Sequence, residues 1–402
     1  MTDETTARTA PRHDPLTEPT FADLTTLRVG GEIDTYVETT TEAELVDVLR
    51  AADDAGDPVL VLGGGSNLLV ADEGFGGVVV RDLRRGVEVS SDDACGGANI
   101  TVPAGHVMDD LVAEAVDNGW VGIEALSGIP GTVGAAPVQN IGAYGQEISG
   151  TVATVRAWDR GESRIRTLSL VDLAFGYRTS MLKRTTQLVA DDGPGHTDDP
   201  RAPWYPTPRY VVLEVSLQMR LGSLSVPVAY PELARRLGVE VGARADTADV
   251  RAAVLELRGG KGMLLDDPDR PDHDRWSAGS FFTNPVVPAD LAGALPEGAP
   301  RFPVRTASPV TTTGPSLGTV DEGLVKTSAA WLIEHAGFTK GYGVDGPDSP
   351  ATLSTKHTLA LTNRGSATSS DVVRLARQVR DGVLQEFGIE LVPEPVLVGT
   401  AL

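Results

Sequence analysis

Two stretches of this sequence present backbone groups, more than side chains, as the means of holding a ligand. Gly63-Gly64-Gly65-Ser66-Asn67 follows the apolar run PVLVL directly. Three glycines can turn their N–H groups inward and let a phosphate approach the main chain without a side chain in the way. The spacing is neither a dinucleotide fingerprint nor a Walker loop, and a tight structural turn explains it as well as an anion nest does. The second stretch is longer: GIEALSGIPGTVG over 122–134, continuing to QNIGAYG over 139–145. Its glycines and prolines argue against regular secondary structure, and its interleaved Ile, Leu and Val argue against disorder, so a functional loop is expected. Two such loops in neighbouring units would suit a ligand with both a diphosphate and a flat apolar ring.

The elements that must carry these loops can be read from periodicity. Tyr36-Val37-Glu38 reads as a strand, residues 41–56 as a helix with Leu45, Val48 and Leu49 on one face, and 58–62 as a strand entering the first loop. That order predicts an α/β layer with part of its sheet parallel. From 83 to 221 short β runs dominate (86–89, 99–105, 151–158, 163–170 and 209–221), interrupted by one helix over 106–120 that stops near Asn118-Gly119. Between 222 and 385 three helices are expected, at 231–239, 326–337 and 369–388, with an apolar strand at 359–363. The last segment, 389–399, is extended and broken by proline. Polar stretches at 191–203, 266–275, 307–319 and 345–350 read as solvated loops. This organisation predicts a leader over 1–20, units over 21–82, 83–221 and 222–385, and a C-terminal segment over 386–402.

Composition limits the function classes. The chain has 402 residues, with 34 basic against 56 acidic side chains and a formal charge of −22. A nucleic-acid binder needs a basic face, and an acidic chain is repelled by anionic membranes, so neither partner is expected. Only five of the basic residues are lysines: Lys183, Lys261, Lys326, Lys340 and Lys356. The single Cys95 permits no internal disulfide, and no stretch approaches the roughly 18 apolar residues of a membrane span. A cytoplasmic protein is expected. His106, His273, His335 and His357 lack zinc-type spacing, and no metal is called for.

Six segments, in order along the chain, carry a family resemblance: LRVGG (27–31), LGGGSN (62–67), 122–148, FGYRTSMLK (175–183), SAGSFFTNPVV (277–287) and LVPEPVLVG (391–399). In these the sequence resembles the UDP-N-acetylenolpyruvoylglucosamine reductases. The resemblance implies an α+β fold: a two-part FAD-binding region of the vanillyl-alcohol-oxidase type, plus a third, substrate-binding domain. It implies the longer form of the family, with Tyr230 as the inserted substrate tyrosine. It further implies that NADPH reduces an enol ether on a UDP-sugar, UDP-N-acetylglucosamine enolpyruvate, with hydride relayed through the flavin N5 to give UDP-N-acetylmuramate for peptidoglycan. A monomer is expected.

Carried over residue by residue, the resemblance gives Arg178 as the cation that holds the developing enolate, Ser280 as the proton donor and Glu394 as the partner of Arg178. It implies FAD contacts from Gly63, Gly64, Gly65, Ser66, Asn67, Ser127, Gly128, Gly131, Thr132, Gly134, Asn140, Gly142, Ala143, Gly145 and Ile148. Substrate contacts are implied for Tyr144, Tyr230, Arg258, Lys261 and Asn284. An arginine suits the enolate because it stays charged and its fork fits a carboxylate. A protonated Glu394 could donate to the same oxygen, and burial would favour that form. The sequence departs from the family in the apolar Pro395-Val396-Leu397 after Glu394 and in a longer acidic loop at 266–269. Another FAD-dependent sugar or aldonolactone oxidoreductase, and a non-catalytic UDP-sugar or flavin binder, are the alternatives.

Overall fold

The structure is a computed structural model that describes residues 18–186, 204–306 and 319–402. The leader up to residue 17 and the polar stretches at 191–203 and 307–318 lie outside the described residues.

A three-stranded parallel sheet comes first, in the order Ile33–Thr39, Phe75–Asp82, Val59–Leu62. Helix Glu42–Ala55 connects the outer two strands. Thr41 caps it by accepting from the Glu44 N–H in a capping box, and Gly56 ends it in the left-handed region. Leu45 and Leu49 are fully buried, and this helix packs both on its own sheet and on Trp158, Val211 and Leu213 of the next one. The expected helix, the flanking strands and their parallel relation are all present.

The second sheet is antiparallel, in the order Arg164–Ser169, Val152–Asp159, Tyr210–Leu221, Gly97–Pro103, Glu88–Asp93. Helix Met108–Asp117 covers one face through Met108, Leu111, Val112 and Ala115 and stops at Asn118. Beyond it come helices Pro231–Leu237 and Thr247–Gly260, which pack with Ala125 and Tyr144 of the long glycine loop. The helix Thr247–Gly260 escaped the sequence reading: its glycine-rich end looks like a loop, and its polar and apolar faces are weakly separated.

A separate core gathers helices Ala329–His335 and Ser369–Phe387, the hairpin Ala351–Leu353/Leu361–Asn363, and Phe281 and Phe282. It also takes in Leu27, Val29 and Leu69 from the start of the chain. The C-terminal strand Val396–Val398 pairs in parallel with Leu68–Val70, immediately after the GGGSN loop. The acidic stretch 266–275 is exposed over 268–271, as expected of a solvated loop, but is held to the protein on either side of them. Asp274 is only 4% exposed and accepts from Ser354, Thr355 and Arg364, and Asp266 accepts from Trp276 and Arg28. Hydrogen bonds from several elements hold these carboxylates, and the donors around Asp274 keep its pKa below the usual carboxyl value despite burial.

Candidate active site

The two glycine loops meet and form one wall of a deep cleft. A methyl group at Gly64 would stand 2.7 Å from the Gly131 Cα, one at Gly63 2.9 Å from the Thr132 hydroxyl, and one at Gly65 2.0 Å from the Leu24 carbonyl oxygen. The glycines are therefore required first by the approach of protein to protein. That approach also frees the main chain: among the described residues, the N–H groups of Gly63, Gly64, Gly65, Ser66 and Asn67 have no protein acceptor. Consecutive unpaired N–H groups beside a cleft form an anion site. Leu62, Ile129, Ala135, Val138, Ile141 and Tyr210 give the cleft apolar walls. Both halves of the ligand expected from the sequence, diphosphate and flat ring, thus have a fitting surface.

Gly63 to Asn67, Gly131, Thr132, Gly134, Gly142, Arg178, Arg258, Ser280 and Glu394 all line this cleft. Six of the residues expected at the cofactor do not. Ser127 is fully buried, and its hydroxyl donates to the Glu124 carbonyl. Gly128 donates its N–H to Asp109, and its carbonyl accepts from Arg258. Asn140, buried with φ 47°, donates to the Gly176 carbonyl and to Glu147. Ala143, Gly145 and Ile148 belong to a small hairpin of strands Gly142–Ala143 and Gln146–Glu147 and to the turns beside it, and Ile148 is buried. These residues shape the loop from behind.

Arg178 sits in a tight turn closed by Gly176 and Thr179, with its own backbone in the left-handed region at φ 52°. Its Nε lies 3.2 Å from Glu394 Oε1. The N–H is not aimed along that line, so the contact is an ion pair and Nε remains a buried donor without an aligned acceptor. Glu394 is fixed from two sides. Its N–H donates to the Phe281 carbonyl, and two residues further on the Val396 N–H donates to the Asn67 carbonyl. The bridge between Phe282 and Pro393 brings the segments of Ser280 and Glu394 side by side. Gln139 donates to Glu394 Oε1 at 3.2 Å, which orients the carboxyl group from a third side.

The substrate candidates form a second group. The rings of Tyr144 and Tyr230 meet edge to face at 5.6 Å, and Lys261 Nζ stands 5.5 Å from the centre of the Tyr144 ring. Lys261 also pairs with Glu232 at 2.5 Å, so its charge is partly compensated. Burial pushes the Tyr144 hydroxyl up to about 12 and that of Tyr230 upward, which keeps both as donors at neutral pH. Asn284 lies apart, in an adjoining cavity that shares Arg178 and Glu394, and accepts from the Ala329 N–H at a helix start. Arg275 was missed because it lies in the acidic loop. It lines the cleft, and its Nε is also a buried donor without an aligned acceptor. With Arg178, Arg258 and Arg275 against Asp82 and Glu394, the cleft lining is locally basic in a strongly acidic chain.

A parallel layer and an antiparallel sheet bearing an N–H cradle, with a cleft suited to a nucleotide and a ring, define a flavoprotein of the α+β class. Residues 33–169 match the FAD binding domain model. Residues 270–398 match the model of the UDP-N-acetylenolpyruvoylglucosamine reductase C-terminal domain. The chain is 50% identical to UDP-N-acetylenolpyruvoylglucosamine reductase of Cutibacterium acnes over 95% of its length and 90% of the relative's. It is 49% identical to that of Saccharopolyspora erythraea over 95% of each. The crystal structure of UDP-N-acetylenolpyruvylglucosamine reductase from Thermus caldophilus superposes with a TM-score of 0.56 and 25% identity, covering 95% of this chain and 98% of the other. The chain belongs to the UDP-N-acetylenolpyruvoylglucosamine reductase family. Among the described residues no cluster of metal ligands occurs and no helix is long and apolar enough to cross a membrane.

The loop contact makes a direct prediction. Gly64→Ala drives a methyl group into backbone atoms of Gly131, which can move only by parting the loops. The variant is expected to fold around its other cores yet purify without bound FAD, read as flavin absorbance per chain. A full complement of FAD would contradict the role given to this contact.

Proposed function

We propose that Arg178, Ser280 and Glu394 carry out the reduction of UDP-N-acetylglucosamine enolpyruvate to UDP-N-acetylmuramate in peptidoglycan precursor synthesis, with FAD in the two-loop cleft and NADPH as reductant. The observation that carries this reading is the placement of all three side chains on the wall of the cleft that the glycine loops form, with Arg178 and Glu394 already paired. Bound by Gly63 to Asn67, Gly131 and Thr132, FAD would supply the hydride chemistry that links NADPH to the substrate's methylene carbon. Arg178 then faces the electron pair that moves toward the substrate carboxylate, and its unaligned Nε is free to turn to that oxygen. Glu394 holds the guanidinium in place. Ser280 gives its hydroxyl proton to the adjacent carbon and is reprotonated from solvent, so that one hydride and one proton add across the double bond.

Tyr144, Tyr230, Arg258, Lys261 and Asn284 bind the UDP-sugar in this reading, with Lys261 leaving Glu232 for a phosphate. A functional monomer is part of this reading. The division into units over 21–82, 83–221 and 222–385 is proposed from the changes of sequence pattern along the chain.

The test is an assay with purified protein, NADPH and the UDP-enolpyruvyl sugar. NADPH consumption should depend on the sugar and yield UDP-N-acetylmuramate; consumption driven by oxygen alone would favour an oxidase. Lys261→Ala should raise KM on the order of tenfold with kcat little changed, because a binding charge is lost from ground and transition state alike. Added salt should narrow the gap from wild type by screening. An unchanged KM would remove Lys261 from the substrate site.

A further inference from the structure

Lys183 stands behind the Arg178–Glu394 pair, and nothing in the proposed chemistry uses it. It lies in the short helix Met181–Arg184, which Ser180 starts by accepting from the Lys183 N–H. The same Ser180 hydroxyl donates to the Val138 carbonyl at 2.7 Å, locking this helix to the backbone beside Gln139. Lys183 Nζ donates to Gln139 Oε1 at 3.1 Å and to the Arg178 carbonyl at 3.3 Å. Gln139, 9% exposed, in turn donates its amide N–H to Glu394 Oε1 at 3.2 Å. Among the described residues Lys183 has no carboxylate within ion-pair distance.

An ammonium group can only donate, so it obliges the Gln139 oxygen to face it and turns the amide nitrogen toward Glu394. A reversed amide would set oxygen against carboxylate oxygen. Lys183 also secures the carbonyl of a residue held in the left-handed region, where a non-glycine backbone needs support from its surroundings.

We propose that Lys183 is a positioning residue for the reduction of the substrate: by fixing the orientation of Gln139 and the Arg178 turn, it holds Glu394 and Arg178 in register. The inference rests on the assignment of Arg178 and Glu394 to that step.

Lys183→Met keeps length and packing but removes the donor. In rapid mixing, reduction of the bound flavin by NADPH should stay within about twofold of wild type, while its reoxidation by the UDP-enolpyruvyl sugar slows on the order of tenfold or more. Lys183→Arg, which restores a donor, should recover most of that rate. Because part of the effect passes through Gln139, the double variant Lys183→Met/Gln139→Leu should be slowed by less than the product of the two single effects. Flavin content and Tm report folding, and Lys183→Leu takes the place of the Met variant if that protein does not retain FAD. Additive effects, equal slowing of both half-reactions, or an Arg variant as slow as Met would overturn the proposal. Fast reoxidation in the Lys183 variants alongside slow reoxidation in Arg178→Lys would sink this inference alone; fast reoxidation in Arg178→Lys itself would sink the reading beneath it.

Discussion

Ser280→Ala is expected to bind FAD and to be reduced by NADPH as wild type is, yet to turn over the UDP-enolpyruvyl sugar about 10²–10⁴-fold more slowly. The change removes only a hydroxyl. Ser280 sits on a segment whose neighbours are held by backbone contacts, Phe281 to Leu359 and Glu394, and Phe282 and Phe281 are buried in the core, so the fold has no reason to respond. The defect should therefore be confined to the step that needs a proton at carbon. Rapid mixing separates the two half-reactions, and the variant should show flavin bleached by NADPH at a normal rate and restored slowly by substrate. Solvent deuterium offers a companion reading: wild type should slow in the second half-reaction only. A Ser280→Ala enzyme with normal reoxidation would move Ser280 to the structural residues and leave the proton donor unassigned.

Arg178→Lys comes next in size. The substitution keeps a positive charge but loses the planar fork, and a lysine cannot satisfy Glu394 and a carboxylate oxygen in the geometry that a guanidinium spans. Turnover should fall about 10²–10³-fold, the scale of removing one preorganised donor at a developing anion. KM should change modestly, because the proposed substrate contacts at Tyr144, Tyr230 and Lys261 are untouched. The cause is electrostatic and local, so the melting temperature and flavin content should match wild type. Turnover near the wild-type value would show that charge alone suffices and that the ion pair with Glu394 is structural.

Much of this molecule is legible in its residues. The helices Glu42–Ala55 and Ser369–Phe387 announce themselves through capping boxes and regular apolar spacing, because the same face that repeats in sequence is the one they bury. What escaped depends on contacts distant in the chain. Nothing near residue 396 indicates that it pairs with Leu68, yet that pairing carries Glu394 to the glycine loop. The two glycine loops are close-packed for a reason of their own, since a side chain at Gly64 would strike the Gly131 backbone before any ligand is met. The acidic stretch 266–275 has the composition of a solvated loop, but donors on Ser354, Thr355 and Arg364 hold Asp274 inside. Arg275 was hidden with it. Gln139 and Lys183 lie inside resemblance-bearing segments, but only the folded geometry links one to the other and both to Glu394.

The central claim is that one cleft, built from two glycine loops and closed by Arg178, Ser280 and Glu394, reduces an enolpyruvyl UDP-sugar through bound FAD. The most direct measurement is an anaerobic titration of the wild-type protein followed by its flavin absorbance. Equimolar NADPH should bleach the flavin, and UDP-N-acetylglucosamine enolpyruvate should restore it with stoichiometric release of UDP-N-acetylmuramate. A flavin that regains its colour only when oxygen is admitted, or that recovers without forming UDP-N-acetylmuramate, would contradict the claim.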